Sequence, residues 1–279
     1  MNSQAEHRVP IDENTLREAV AGTHWRSVRV VEETGSTNAD LVALAATSDC
    51  VGSVIVAEYQ SAGRGRYTRH WESPPRSQVA MSVAVAADVA DAQAALGWLP
   101  LLTGLAVVDG IREVSELAPV LKWPNDVLLP APGGTTDGIG GRKVAGILAE
   151  LTRGPSGTVA VIGIGINVSL TEAELPVPTA ISLDLAGAVV NRQDLAAAVL
   201  TALSRRLQQW PQDLDGLRGD YRDLCVTLGH HVLVQLPLDE QLEGAAVEID
   251  STGRVVVEDV AGKRVAVAAG DVTHLRVTD

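Results

Sequence analysis

Val159-Ala-Val-Ile-Gly-Ile-Gly-Ile-Asn-Val168 is an almost unbroken apolar run set between Thr158 and Ser169. A strand at the centre of a sheet covered on both sides carries such a run, because neither of its faces needs polar side chains. The glycines at 163 and 165 suggest a dinucleotide-binding fingerprint. Its third glycine is missing, however, and the run ends as a strand instead of opening a helix, which rejects a Rossmann reading.

Working outward, Lys143 to Leu151 and Leu121 to Leu129 read as two further strands. Between them lies Pro-Ala-Pro-Gly-Gly-Thr-Thr-Asp-Gly-Ile-Gly-Gly, a loop with too many glycines to hold one shape. Val54 to Ala57 reads as a strand, and Val79, Met81, Val83 and Val85 alternate with small or polar residues as in a half-buried strand. From Trp98 to about Leu117, apolar residues at 101, 105, 108, 111 and 114 keep helical spacing, predicting a long helix packed on one face and ended by Pro119. A second long helix is predicted from Gln193 to Gln209, stopped by Pro211. Residues 12 to 21 form a short helix, and Val28 to Val31 is extended. Thr37, followed by Asp40, has the look of a helix N-cap, with Leu41, Leu44 and Ala45 as the apolar stripe behind it. Beyond Leu228 the pattern changes to short extended runs at 231–236, 245–249, 254–258, 263–267 and 274–277, divided by Asp and Gly turns. They read as a small all-β barrel of about 50 residues. The division expected is residues 1–227, with 1–28 as an N-terminal extension, and 228–279.

At 279 residues and 46% apolar, the chain can bury a substantial core. Its 22 basic against 35 acidic residues leave a formal charge of −13, so most of the surface repels phosphate backbones. Cys50 and Cys225 stand far apart with no metal-type spacing, which fits a reducing cytosol and gives no zinc site. No apolar signal core and no membrane-length run is present, so the expectation is a cytoplasmic protein with no membrane partner.

Against that acidic background, Gln60-Ser-Ala-Gly-Arg-Gly-Arg-Tyr-Thr-Arg-His-Trp71 concentrates Arg64, Arg66 and Arg69. Gly63 and Gly65 let the backbone approach a ligand, and forked guanidiniums match phosphate and carboxylate oxygens. Alone, the segment reads more readily as a solvated basic loop. Leu121-Lys-Trp-Pro-Asn-Asp126 groups three polar side chains with an aromatic ring at a strand end, a pattern that a capped turn would also produce. Lys143-Val-Ala-Gly-Ile-Leu places one cation at the head of an apolar strand, and such lysines are usually just solvated. The chain contains no P-loop, zincin motif or serine elbow.

In this order, Gly-Ser-Thr-Asn (35–38), Gln-x-x-Gly-Arg-Gly-Arg (60–66), Lys-Trp-Pro-Asn-Asp (122–126), Lys-Val-Ala-Gly-Ile-Leu (143–148) and Gly-Ile-Gly-Ile-Asn (163–167) resemble the bacterial biotin-protein ligase family, from about residue 31 to the C-terminus. The resemblance implies an α+β catalytic domain, a mixed β-sheet flanked by helices and related to class II aminoacyl-tRNA synthetases, followed by an SH3-like β-barrel. It also implies the activity: ATP-dependent activation of biotin as biotinyl-5'-AMP, then transfer to a lysine of a biotin carboxyl carrier domain, with biotin, ATP and Mg²⁺ taking part. By the same resemblance Ser36, Thr37, Asn38, Gln60, Gly63, Arg64, Gly65, Arg66, Lys143 and Gly146 bind biotin. Arg64, Arg66, Arg69, Trp71, Lys122, Asn125, Lys143 and Asn167 bind ATP or the adenylate, with Trp71 covering the adenine. Lys143 and Arg66 are the catalytic cations, and Asp126 is the metal ligand. Physically, an anionic carboxylate attacking an anionic phosphate needs fixed positive charge in a dry site. Segments 61–71 and 130–142 are expected to fold over the hydrolysable adenylate.

Two departures are visible. Thr68 stands where the family commonly has glycine, which narrows the backbone conformations open to the closing loop, and the short N-terminus lacks the winged helix of family members that repress operons. A ligase without DNA binding is therefore expected. The rival readings are a lipoate or octanoyl ligase, which would lack the arginine loop, and a biotin-sensing repressor, whose DNA-binding domain would precede residue 31.

Overall fold

The computed structural model describes residues 8–66, 69–88, 95–130, 141–155, 157–236, 240–268 and 271–274. Its main body is a seven-stranded sheet in the order β1-β2-β3-β7-β6-β5-β4. The strands are β1 (Ser27–Thr34), β2 (Ser53–Gln60), β3 (Gln78–Ala86), β4 (Val120–Lys122), β5 (Asp126–Leu129), β6 (Arg142–Gly154) and β7 (Gly157–Asn167). β1 and β2 run parallel and every other pair antiparallel, so the sheet is mixed. The apolar run at 159–168 lies at its centre, with β3 on one side and β6 on the other.

Helices cover both faces. α3 (Trp98–Val114) and α4 (Arg192–Gln209) share the larger core with Val79, Met81, Val83 and Val85 of β3, and α1 (Glu13–Ala19) adds Leu16 to it. On the other face, α2 (Thr37–Thr47) packs Leu41 and Ala45 against Ile55, Ala84 and Val161. That second layer corrects the half-buried reading of β3, in which every residue from Gln78 to Val85 is buried. The alternation is real, but the side with small residues faces α2 instead of water.

Other boundaries shift for local reasons. Ser36, not Thr37, caps α2: its Oγ accepts the Ala39 N–H at 3.5 Å, while the Thr37 N–H goes to Gln60 Oε1 at 2.8 Å. α3 is buried nearly all round instead of on one face, being wedged between the sheet and α4. It ends at Val114, where Ser115 turns extended and donates its hydroxyl to the Ile111 carbonyl, before Pro119 is reached. The run 121–129 is not one strand but a hairpin, β4 and β5, turning at a cis Trp123–Pro124 bond with Lys122 paired to Asp126. α5 (Leu214–Leu224), absent from the sequence reading, is capped by Asp213 and turns Leu217 and Tyr221 inward.

The C-terminal residues form a five-stranded antiparallel sheet, β11-β10-β9-β8-β12, from β8 (His231–Gln235), β9 (Gln241–Ile249), β10 (Val255–Glu258), β11 (Arg264–Val267) and β12 (Asp271–His274). The last strand precedes the run expected at 274–277, of which 275–277 lie outside the described residues. A turn of this sheet grips the main body through two indoles: Trp98 Nε1 donates to the Ser251 carbonyl at 2.9 Å and Trp123 Nε1 to that of Gly253 at 3.0 Å. Among the described residues no helix is long and apolar enough to cross a membrane.

Candidate functional site

A cavity of about 790 Å³ opens at the end of the main sheet where β2 leaves and β6 begins. Ser36, Thr37, Asn38, Gln60, Arg64, Gly65, Arg66, Arg69, Trp71, Lys122, Asn125, Asp126, Lys143, Gly146 and Asn167 all stand on its wall. Of the residues singled out in the sequence, Gly63 alone is off the wall. It is buried at the base of the arginine loop, where a Cβ would lie 2.2 Å from the Trp71 carbonyl. Its own carbonyl accepts the Trp71 N–H at 2.9 Å.

The two ends of the loop are tied together, with the Gly65 N–H donated to the Arg69 carbonyl at 2.8 Å and an antiparallel bridge between Arg64 and His70. Thr68, the departure from the family pattern, lies outside the described residues, as do 131–140 of the glycine-rich loop. Arg66 Nη1 donates to Asn125 Oδ1 at 3.1 Å, and Asn125 Nδ2 donates to the Ile147 carbonyl at 3.1 Å. Asn125 thus joins the loop, the Trp-Pro turn and β6.

At one end the wall is polar, and the charge that reaches it is the Arg64–Glu150 ion pair. Gln60 Oε1 accepts from both the Thr37 N–H (2.8 Å) and the Thr37 hydroxyl (3.1 Å), which leaves the NH₂ as the amide's remaining hydrogen-bonding group. Asn38 is held structurally: it accepts from the Ser82 hydroxyl at 2.6 Å and donates to the Leu148 carbonyl and to Glu150 Oε2. Glu150 also takes Arg64 Nη2 at 2.8 Å, which ties that guanidinium to the Asn38 end of the cavity.

The other end is charged. Lys143 Nζ lies 2.5 Å from Asp126 Oδ1 and 5.4 Å from the centre of the Trp71 ring. A metal ion at Asp126 would have to share that carboxylate with Lys143, and among the described residues no group of three or more His, Cys, Asp or Glu is placed to hold a metal. Burial pushes the Lys122 ammonium below its ordinary pKa, and Lys143 and Arg69 depress it further while Asp126 opposes them. The wall as a whole carries five lysines and arginines against two carboxylates, Glu72 and Asp126, in a chain of net charge −13.

The glycines of the central strand have a steric purpose here. A Cβ on Gly165 would meet the Trp71 indole at 2.5 Å, and one on Gly163 would meet Asn38 Oδ1 at 2.4 Å. The side chains that shape the cavity lie directly on β7, which is why a run that imitates a phosphate loop sits inside a strand. Trp71 is fixed edge-on as well, donating Nε1 to Gln78 Oε1 at 2.5 Å. Asn167 donates Nδ2 to the Ile181 carbonyl at 3.1 Å.

Several contributors escape a reading by motif. Ser82 holds Thr37 and Asn38, Glu150 holds Asn38 and Arg64, and Gln78 holds Trp71. Their only signal in the sequence is a polar residue inside an apolar strand, which a surface position would also produce.

Comparison with known proteins gives a consistent picture. Residues 30–167 match the Biotin/lipoate A/B protein ligase family, and residues 227–275 match the Biotin protein ligase C terminal domain. The biotin–(acetyl-CoA-carboxylase) ligase of Mycobacterium tuberculosis is 42% identical, over 99% of this chain and 100% of that protein. The bifunctional ligase/repressor BirA of Escherichia coli is 33% identical over 74% of this chain, and the match spans 62% of its own length. Among solved structures, a biotin protein ligase from Aquifex aeolicus in complex with biotin and ATP superposes with a TM-score of 0.73 at 24% identity, covering 90% of this chain and 100% of the other.

Proposed function

We propose a function from the premise that the chain belongs to the biotin/lipoate A/B protein ligase family: it is an ATP-dependent biotin-protein ligase, which joins biotin to AMP with release of pyrophosphate and then passes biotin to a protein lysine. The observation that carries this is the polarity of one cavity, neutral hydrogen-bonding groups at the Thr37–Gln60 end and clustered cations at the Lys143 end.

The ureido ring of biotin needs fixed donors and acceptors in a cavity. The Gln60 amide, oriented by Thr37, and the Ser36 hydroxyl supply them. The valerate carboxylate then points toward Lys143 and Arg66. There its oxygen attacks the α-phosphorus of Mg·ATP, the bond to the pyrophosphate oxygen breaks, and pyrophosphate leaves with its electron pair. Both reactants are anions, so Lys143, Arg66, Arg69 and Lys122 lower the barrier by standing where negative charge gathers. Asp126 holds Lys143 in place through their 2.5 Å contact, and its carboxylate would supply one oxygen ligand to the Mg²⁺ that the nucleotide carries. Trp71 covers the adenine, with Asn167 and Asn125 beside the nucleotide. In the second step the neutral amine of the acceptor lysine attacks the acyl carbon and AMP departs.

The acceptor proposed is a biotin carboxyl carrier domain of a biotin-dependent carboxylase, as the name of the M. tuberculosis relative suggests. The sheet with its covering helices is proposed to follow the class II aminoacyl-tRNA synthetase plan and the C-terminal strands an SH3-like barrel. The two buried free thiols fit a reducing cytoplasm. The test is to mix the chain with biotin, Mg·ATP and a carrier domain. A gain of one biotinyl group on the carrier is expected. Pyrophosphate release with lipoate but not biotin would overturn the reading.

A further inference from the structure

β7 ends at Asn167, one residue after Ile166 pairs with Ala145, so the head of β6 loses its neighbour on that side. The chain returns to fill the gap. The Lys143 N–H donates to the Thr179 carbonyl at 2.7 Å, and the Ile181 N–H donates to the Lys143 carbonyl at 2.9 Å. On its other edge Lys143 pairs with Leu128 of β5. The same returning segment reaches Asn167: its side chain donates to the Ile181 carbonyl, and its carbonyl accepts the Leu183 N–H, each at 3.1 Å. Residues 179–183 are therefore a backbone splint between two residues of the site, and Val177, half exposed, stands with Thr179 on the cavity wall.

One side chain fastens the splint. Arg142 donates Nε to the Ala180 carbonyl at 2.8 Å and both terminal nitrogens to Glu172, each at 3.0 Å. A guanidinium gripping a carboxylate with two parallel bonds and a carbonyl with a third sets direction as well as distance.

Resting on the ligase reading, we propose that Arg142 is a positioning residue for biotin activation: by clipping the 172–181 segment it sets where Lys143 and Asn167 stand relative to each other. It touches no reacting atom. Its role is to keep the Lys143 ammonium aligned with the attacking carboxylate and the α-phosphate.

The test compares the full-length parent chain with Arg142→Ala and with the exchange Arg142→Glu plus Glu172→Arg. Misplacing a catalytic group by a fraction of an ångström slows Arg142→Ala pyrophosphate release by about tenfold or more and raises the KM for ATP. Biotin affinity by calorimetry falls less than the rate, by no more than about threefold, because the Thr37–Gln60 end is untouched and only the contact of Lys143 with the carboxylate shifts. The Glu172 side of the clip is exposed while the bond to Ala180 is part-buried, so the melting temperature falls by a few degrees, about 2–6 °C. The exchange restores part of the lost rate, since it remakes the pair but not the bond to Ala180. An Arg142→Ala enzyme with parental kcat and KM for ATP overturns the proposal. So does a rate loss matched by an equal loss of biotin affinity, or one that the exchange does not relieve. Absence of pyrophosphate release from the parent chain would instead count against the ligase reading itself.

Discussion

Lys143 illustrates how little a residue's identity says before its neighbours are known. At the head of a strand it resembles any solvated lysine, yet its ammonium lies 2.5 Å from Asp126, and its main chain is held on both edges. Lys143→Ala removes charge at the reacting centre without opening the core. Its rate of pyrophosphate release is therefore expected to fall by about a hundredfold or more, with a normal circular dichroism spectrum. Lys122 makes the opposite trade. Its pKa is depressed from 10.5, so the folded state binds that proton less well than the unfolded chain does. The resulting penalty is fully present below the folded pKa and fades as the pH climbs toward 10.5. Lys122→Met is expected to raise the melting temperature at neutral pH, by about 2 °C for each kcal/mol relieved, while slowing adenylate formation. A calorimetric scan and a pyrophosphate assay on the same preparation check both halves.

At the scale of elements, the hairpin of β4 and β5 carries Lys122, Asn125 and Asp126, and its placement depends on the C-terminal sheet. The Trp123 N–H is taken by Thr227 Oγ1 at 3.0 Å and its indole N–H by the Gly253 carbonyl at 3.0 Å. Trp123→Phe keeps most of the ring's volume but leaves that carbonyl unpaired. A loss of about 1–3 kcal/mol is expected from denaturant midpoints. A raised KM for ATP with an unchanged KM for biotin should accompany it, because the hairpin meets the nucleotide end. Elements were also where the sequence was least explicit. The single strand read over 121–129 proved a hairpin, because Pro124 and the Lys122–Asp126 pair reverse the chain within a span too short to show periodicity. α5 carried a signal that the reading missed: Leu214, Leu217, Tyr221 and Leu224 keep helical spacing, but Asp, Gly and Arg fill the rest of its 11 residues and two glycines weaken a helix.

For the whole molecule, the cavity joins residues from 36 to 180, with Val272 of the C-terminal sheet also on its wall. A ligand that binds there binds only the folded chain. Biotin should therefore raise the melting temperature without a plateau, by an amount equivalent to about 2.7 kcal/mol at a hundred times its Kd. A melting temperature that excess biotin leaves unchanged would show that the folded chain has no such site. The charge of −13 is a property of the same scale: five of the 22 lysines and arginines stand on the cavity wall against two of the 35 acidic residues, so the cavity is locally positive in an acidic chain, which suits small anions.

The central strand, the two long helices, the change to short strands after Leu228 and the motifs that line the site were all written in local order, because periodicity and turn chemistry act over a few residues. What the chain could not show locally is everything that depends on a partner far away in sequence. The burial of β3's second face under α2, the Glu150 carboxylate that holds both Asn38 and Arg64, and the returning segment that splints Lys143 are of this kind. Such contacts exist only once loop closure has brought distant residues together, and the free energy that selects them is shared over the whole core and not stored in any one stretch.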